Sequence, residues 1–174
     1  KVCKVIFDKL VALDEIEILS YQVRPYETEK GRTSKVYKKC LEIMDQARTR
    51  SQIREAKEAC FELLRNISQD KSRTVLKIGI VGEIYVLIEP FANLDIQATL
   101  GEMGAFTHRG THLSEWWKEN TGSTNHEEKV IRAAKPYLRE MIGGHGILSI
   151  GETVLFAQRG YDGVIQLAPF SCIP

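Results

Sequence analysis

An apolar run near the middle of the chain constrains the fold more than any other stretch. Most side chains between residues 75 and 81 are aliphatic, and Gly82 ends the run. A near-continuous run of this kind, rich in β-branched residues, is typical of a strand that is buried on both faces of a parallel sheet. Because parallel strands need long crossover connections, we expect helices between this strand and its neighbours.

The remainder of the second half alternates between helix and strand patterns. The segment 93–104 predicts a helix that Asn93 caps, and Pro136 is expected to break a helix over 126–142. A glycine-rich turn then leads into a helix that Gly160 ends. The other predicted elements are strands at 105–113 and 163–170 and a short helix that begins at Ser114. This alternation predicts an α/β domain with a parallel sheet and right-handed crossovers.

The first half has a different texture, since residues 1–72 contain only one of the 13 glycines, Gly31. Apolar residues at helical spacing predict a helix over 2–13, and the alternation within residues 15–27 predicts a strand that Pro25 stops. We therefore place a domain boundary after residue 72, between a helix-rich segment in 1–72 and an α/β domain in 73–174.

Two amphipathic helices are expected in the helix-rich segment and form an αα-hairpin. They cover residues 35–48, with Thr33 or Ser34 as the N-cap, and residues 51–67. Cys40 and Cys60 lie on their apolar stripes, so we interpret both as small core residues.

Composition limits the classes of function. Hydrophobic residues make up 43% of the chain and charged residues 27%, a balance typical of a globular protein with a packed core. The net charge of +1 gives no reason to expect nucleic acid or a membrane surface as a partner. The four cysteines, Cys3, Cys40, Cys60 and Cys172, have no zinc-type spacing, which favours a reducing cytoplasm over a disulfide framework.

Three loops are expected at the carboxyl edge of the sheet, where open α/β sheets bind ligands. The first contains Gly82, Glu83 and Tyr85, which also have a purely structural interpretation as the exit from the strand. The second contains Gly144, His145, Gly146 and Ser149. Its glycines let the backbone approach a ligand, and the following helix directs N–H groups towards an anion or a cluster sulfur. A flexible turn with a solvated histidine is the alternative.

The third loop, "APFSCIP", contains a lone cysteine after the last predicted strand. The thiolate of Cys172 could bind a soft metal there, with Pro169 and Pro174 stiffening the loop. One cysteine does not hold an iron–sulfur cluster by itself. A buried free cysteine is the alternative interpretation.

The histidines and tryptophans give weaker indications. Gly110 lies between His108 and His112 and argues against a metal-binding helix face, and His126 is expected to be solvated. Trp116 and Trp117 would point about 100° apart on a helix. We expect one indole to pack inward and the other to cover a neighbouring surface.

Five segments together resemble the 2-hydroxyacyl-CoA dehydratase superfamily, and within it the activase-related branch that includes relatives of benzoyl-CoA reductase. They are "VRPYETEKG", "KIGIVGEIYV", "EPFANLDI", "GGHGILSIGE" and "YDGVIQLAPFSCIP". The similarity runs in order along nearly the whole chain, and "GEIY" and "PFSCIP" are its most specific parts.

The resemblance implies an iron–sulfur redox protein of anaerobic metabolism, with Rossmann-like or flavodoxin-like three-layer domains. Cys172 matches the cysteine that supplies one ligand to a 4Fe–4S cluster in that family. The implied partners are the other domains of a parent chain, an ATP-dependent activator or dehydratase subunit, and an acyl-CoA substrate. The chain has no ATPase phosphate motif, and Cys3, Cys40 and Cys60 match no cluster position.

The segment is accordingly expected to be a piece of a larger protein, truncated at the C-terminal end of its α/β domain, and inactive and free of cofactor when isolated. Two other readings stay open. One is a non-catalytic interaction or regulatory module in which Cys172 is an ordinary thiol. The other is a nucleotide or small-molecule site at the loop of residues 143–146.

Overall fold

The computed structural model describes residues 2–120, 126–138, 140 and 146–172. The helices are α1 (Val2–Val23), α2 (Arg32–Gln46), α3 (Arg50–Arg65), α4 (Ile84–Ile88), α5 (Ile96–Glu102), α6 (Leu113–Asn120), α7 (His126–Ala134) and α8 (Gly146–Gln158), and the strands are β1 (Leu76–Gly82), β2 (Ala105–Arg109) and β3 (Gly163–Leu167). The chain divides into two compact units. A helical unit takes residues 1–75 and 97–106, and a sheet unit takes residues 76–96 and 107–174.

The helical unit is built on α1, α2 and α3. The strand expected within residues 15–27 is wrong, because α1 continues to Val23 and a 3-10 turn follows over Arg24–Tyr26. Buried residues recur along α1 every three or four positions, at Ala12, Ile16, Ser20 and Val23. This helical stripe packs into the core of the unit, and that packing outweighs the local alternation around Ile16.

Both helix starts in the hairpin depend on side-chain acceptors. The N-cap expected at Thr33 or Ser34 is wrong, since α2 begins at Arg32 after Gly31, whose φ is 78°. The Glu27 carboxylate accepts hydrogen bonds from the Gly31 and Thr33 backbone N–H groups at 2.6 and 2.7 Å. At α3, Thr49 and Gln52 form a capping box.

Cys40 and Cys60 are core residues, as expected. Both are fully buried, and each thiol lies close to the other's backbone carbonyl, at 3.8 and 3.6 Å. The contact with Cys40, together with burial, raises the pKa of the Cys60 thiol. Because the thiolate is the form that binds metals, the raised pKa of Cys60 disfavours metal ligation by that thiol.

The sheet unit contains a three-stranded parallel sheet in the order β2-β1-β3, flanked by helices. In the β1–β3 pair, Ile78 lies opposite Gly163 and Gly82 lies opposite Leu167. The expected fold class is therefore confirmed: a Rossmann/flavodoxin-like α/β sheet with a helical N-terminal segment. Central β1 is buried at residues 79–81, but Leu76 and Lys77 are exposed, so the burial expected of the apolar run is confirmed only for its second half.

The segment between α4 and α5 differs from the helix that its sequence pattern predicts. Asn93 does not cap α5; its amide donates to the Val86 and Leu87 carbonyls at 2.8 and 3.3 Å, at the end of α4. Leu94 and Asp95 have φ of 57° and 51°, which prevents α5 from starting before Ile96.

The break expected at Pro136 is confirmed, since α7 ends at Ala134.

Two glycines let the elements of the sheet unit pack closely. A Cβ at Gly79 would lie 2.5 Å from Cδ2 of the fully buried Phe156, so α8 packs its ring directly on β1. A Cβ at Gly151 would overlap the Val130 carbonyl oxygen, so glycine at this position allows α7 and α8 to pack closely.

Among the described helices, none combines the length and apolar character needed to cross a membrane.

Candidate functional site

A small pocket lies at the carboxyl edge of the sheet, where the sequence places the candidate site. Its volume is about 40 Å³, and its lining comes from the ends of β1 and β2 and from α4, α6 and α8. The lining residues are Val81, Gly82, Ile84, Leu87, Gly110, Thr111, Trp116, Leu148, Ser149 and Glu152. Sites for drug-sized ligands usually measure about 300–1,000 Å³. The described part of this pocket therefore suits a water molecule or a small ion, not a nucleotide.

Gly82 shapes the edge because no other residue fits its position. Its φ is 142°, and a Cβ there would overlap the Leu167 carbonyl oxygen on the neighbouring strand. That carbonyl accepts a hydrogen bond of 3.0 Å from the Glu83 backbone N–H. The close approach of β1 and β3 thus requires glycine where the chain leaves the sheet.

Ser149 also lies in this pocket, as the sequence analysis expected of a residue on the second loop. It is 4% exposed, and its Oγ has no hydrogen-bond partner within the described part of the chain. A buried hydroxyl without a partner is costly unless water or a ligand fills the gap. Ser149 is therefore a polar group available to a small molecule in the pocket.

A histidine–glutamate pair that was not among the predicted site residues lies at the same edge. Nε2 of His126 lies 2.7 Å from Oε1 of Glu152, which is 6% exposed. His126 was expected to be solvated; it is instead half-buried at the start of α7. Glu152 passes over Gly110, where a Cβ would lie 3.1 Å from its Cδ. Ser149 and Glu152 are three residues apart on α8. This spacing is the signal in the sequence that could have indicated that both side chains lie on one face of the helix.

His108 and His112 pack beside the sheet. Burial, reinforced by the charge of His112, lowers the pKa of His108 to about 4, so His108 is neutral near pH 7. Its ring lies 5.8 Å from those of His112 and Phe156, centroid to centroid. Nδ1 of His112 lies 3.5 Å from Oε2 of Glu115, and this contact is the main cause that lowers the pKa of Glu115.

The remaining candidates have separate positions. Glu83 caps α4 by accepting from the Val86 backbone N–H at 3.1 Å, and Tyr85 is exposed. Gly146 is buried at the first turn of α8. Gly144 and His145 lie outside the described residues. Trp116 lines the pocket and is 40% exposed, whereas Trp117 is 45% exposed, so the expected inward packing of one indole is only partial.

Cys172 is exposed beyond the end of β3, in contrast to the buried Cys40 and Cys60. Its backbone N–H donates to the Pro169 carbonyl at 3.1 Å, and Ser171 has a φ of 66°, which together make a tight turn. No group of three or more His, Cys, Asp and Glu side chains that could hold a metal ion occurs in the described ranges. Cys172 therefore offers one sulfur ligand and not a complete site.

Comparisons with known proteins gave no match: no family model, curated protein or solved structure corresponds to this chain.

Proposed function

We propose that the chain is part of a cytoplasmic iron–sulfur redox protein similar to the 2-hydroxyacyl-CoA dehydratases and their activase-related proteins, with Cys172 as one ligand of a 4Fe–4S cluster. The observation that carries this proposal is the position of Cys172, exposed after the carboxyl end of β3. The five segments that resemble the family supply the rest of the argument. Since a 4Fe–4S cluster takes four ligands, the other ligands would come from residues outside this chain.

The sulfur of Cys172 fits this role chemically. Thiolates are the ligands that iron–sulfur clusters use, and an exposed thiol can ionise and reach a cluster shared between domains. The turn from Pro169 to Cys172 limits the directions in which the sulfur can point, and the fully exposed Phe170 beside it could contact a neighbouring domain. When bound, a cluster of this type would accept and pass on single electrons.

A dehydration also has to move a proton, and His126 with Glu152 is an acid–base pair at the same edge. Oε1 of the buried Glu152 lies 2.7 Å from Nε2 of His126, and this contact orients the imidazole ring. We assign this pair to proton transfer in the proposed reaction. This assignment rests on the proposed iron–sulfur function.

Anaerobic reconstitution tests the ligand assignment. The complete polypeptide that contains these residues is treated with iron and sulfide, and the cluster is followed by EPR and by iron content. We expect Cys172→Ser to lose or alter the signal, because a serine oxygen is a poorer ligand for a soft metal site. Cys3→Ser is the matched control, since Cys3 is also exposed but lies on α1. Clusters of unchanged amount and spectrum in both variants would refute the assignment.

A second candidate function is a non-catalytic interaction module. The adjacent indoles of Trp116 and Trp117, both exposed on α6, favour it because exposed aromatic residues are common at protein interfaces. In this case the complete protein binds no iron under any reconstitution condition. Size-exclusion chromatography would then show an assembly that Trp117→Ser weakens.

A further inference from the structure

We infer that the helical unit binds the oxyanion group of a small molecule, a phosphate or a carboxylate, in a cavity beside Arg24. The cavity has a volume of about 490 Å³, and all of its lining residues belong to the helical unit. Three cationic side chains line it: Arg24, Lys30 and Arg73. This site is separate from the proposed cluster ligand and does not depend on it.

The buried guanidinium of Arg24 is the main argument for a ligand. Arg24 is 3% exposed, and its Nε and Nη1 atoms are buried without a hydrogen-bond partner in the described part of the chain. The ring of Tyr21 lies 5.4 Å from its Cζ, a cation–π contact that leaves these N–H donors unused. Burying charged donors without acceptors is costly, so native proteins normally satisfy them. An oxyanion in the adjoining cavity would supply the missing acceptors.

The surrounding structure holds Arg24 in this place. It is the first residue of the 3-10 turn that follows α1, and Pro25 fixes the backbone of that turn. Gly101 of α5 leaves room for the side chain, since a Cβ there would lie 2.8 Å from Cδ of Arg24. A larger residue at 101 would displace the guanidinium from the wall of the cavity.

The two carboxylates that line the cavity already have partners. Glu27 accepts from the backbone N–H groups of Gly31 and Thr33, and Glu102 accepts from the Ser34 hydroxyl at 3.0 Å. No ion pair to Arg24 occurs among the residues that the structure describes. The lining cations therefore outnumber the lining carboxylates by three to two, and the buried Arg24 has no acceptor for its Nε and Nη1 in the described part of the chain.

Arg73 lines the cavity, and its Nη1 and Nε atoms already have partners. Its Nη1 donates to the Glu27 carbonyl at 3.1 Å, and its Nε lies 3.4 Å from Oδ2 of Asp70. These contacts hold the side chain while other N–H groups of the fork remain for a ligand. Arginine forks match the geometry of phosphate and carboxylate groups, which defines the class of ligand.

The cavity leaves room for an organic group on the anion. A water molecule has a share of about 30 Å³ in the liquid. The cavity of about 490 Å³ is many times larger and lies within the range of small-molecule sites. Inorganic phosphate would therefore fill only the part of the cavity next to Arg24.

Isothermal titration calorimetry on the intact chain tests this site, with inorganic phosphate, pyrophosphate and succinate as probes and sodium chloride at matched ionic strength as the blank. We expect saturable binding of at least one oxyanion. Because hydrogen bonds to charged groups contribute about 1.5–3 kcal/mol, Arg24→Gln should weaken it about 10- to 100-fold. Gly101→Ala should also weaken it by displacing Arg24. Arg54→Gln, an exposed charge change on α3 away from the cavity, should leave affinity within about 2-fold.

The three probes distinguish a phosphorylated ligand from a carboxylate. Binding of phosphate or pyrophosphate alone assigns a phosphorylated ligand, and binding of succinate alone assigns a carboxylate. If Arg24→Gln does not fold, Gly101→Ala and Arg73→Gln decide the question. The inference is overturned if no probe binds beyond the chloride blank, or if the folded variants bind as tightly as the unsubstituted chain.

Discussion

The contact between Gly79 and Phe156 allows a sharp test of the packing in the sheet unit. A Cβ at Gly79 would lie 2.5, 2.6 and 2.9 Å from three ring carbons of Phe156, which is fully buried. Overpacking of this kind costs about 1–3 kcal/mol. Replacing glycine inside a strand returns about 0.5–1 kcal/mol. We therefore expect Gly79→Ala to lower the free energy of unfolding by about 1 kcal/mol, within limits of about 0–2.5 kcal/mol.

The sign of this effect should reverse when the ring is removed. In a Phe156→Leu background the added methyl group has more space, so Gly79→Ala becomes neutral or slightly stabilising. The double-mutant cycle should then give a coupling energy near 1.5 kcal/mol, inside the range of about 0.5–3 kcal/mol for residues in contact. Gly163→Ala on β3 is the matched control, because its Cβ would meet only Cδ1 of Ile78 at 3.4 Å.

Urea unfolding followed by tryptophan fluorescence measures the sheet unit selectively, because both tryptophans lie on α6. The reasoning fails if Gly79→Ala and Gly163→Ala change stability equally. It also fails if the cost of Gly79→Ala is the same with phenylalanine or leucine at position 156.

Two further predictions concern protonation and helix capping. His108 has a folded-state pKa of about 4, below its value of about 6.5 in an unfolded chain, so the unfolded state binds the proton first. The sheet unit should therefore lose up to about 3 kcal/mol of stability as the pH falls from 6.5 to 4, and a pH slope unchanged in His108→Gln would contradict this. Thr49→Ala removes the capping box of α3 and should destabilise the helical unit by about 1 kcal/mol, measured by circular dichroism. Ser51→Ala, next to the cap, is its control, and equal losses in both variants would refute the capping argument.

The helices and strands of the sheet unit were largely predictable because their patterns agree with their environment. The run before Gly82 is apolar on both faces, and β1 is the central strand with neighbours on both sides. Proline and glycine likewise mark the ends of α7 and α8 from local conformational limits alone. Where the pattern was short and ambiguous, around Ile16, packing against α2 and α3 selected helix over strand.

The candidate sites were less predictable than the fold. The resemblance and the lone cysteine indicate Cys172 as a ligand, which the proposed reconstitution has to test. His126 and Glu152 lie 26 residues apart in sequence, and only the packing of α7 on α8 through Gly151 brings their elements together. Likewise, nothing near Arg24 in the sequence shows that Gly101 clears a place for its side chain.

The sequence by itself determined which segments can form buried strands, where glycine and proline end the elements, and that Cys40 and Cys60 belong to apolar faces. These properties depend on neighbouring residues and on side-chain chemistry, so they can be predicted from the sequence. Only the tertiary structure decided which polar side chains meet and which buried donors lack an acceptor. Contacts between distant residues form when helices and strands pack, and the cost of burying Arg24 or Ser149 exists only once that packing has removed water.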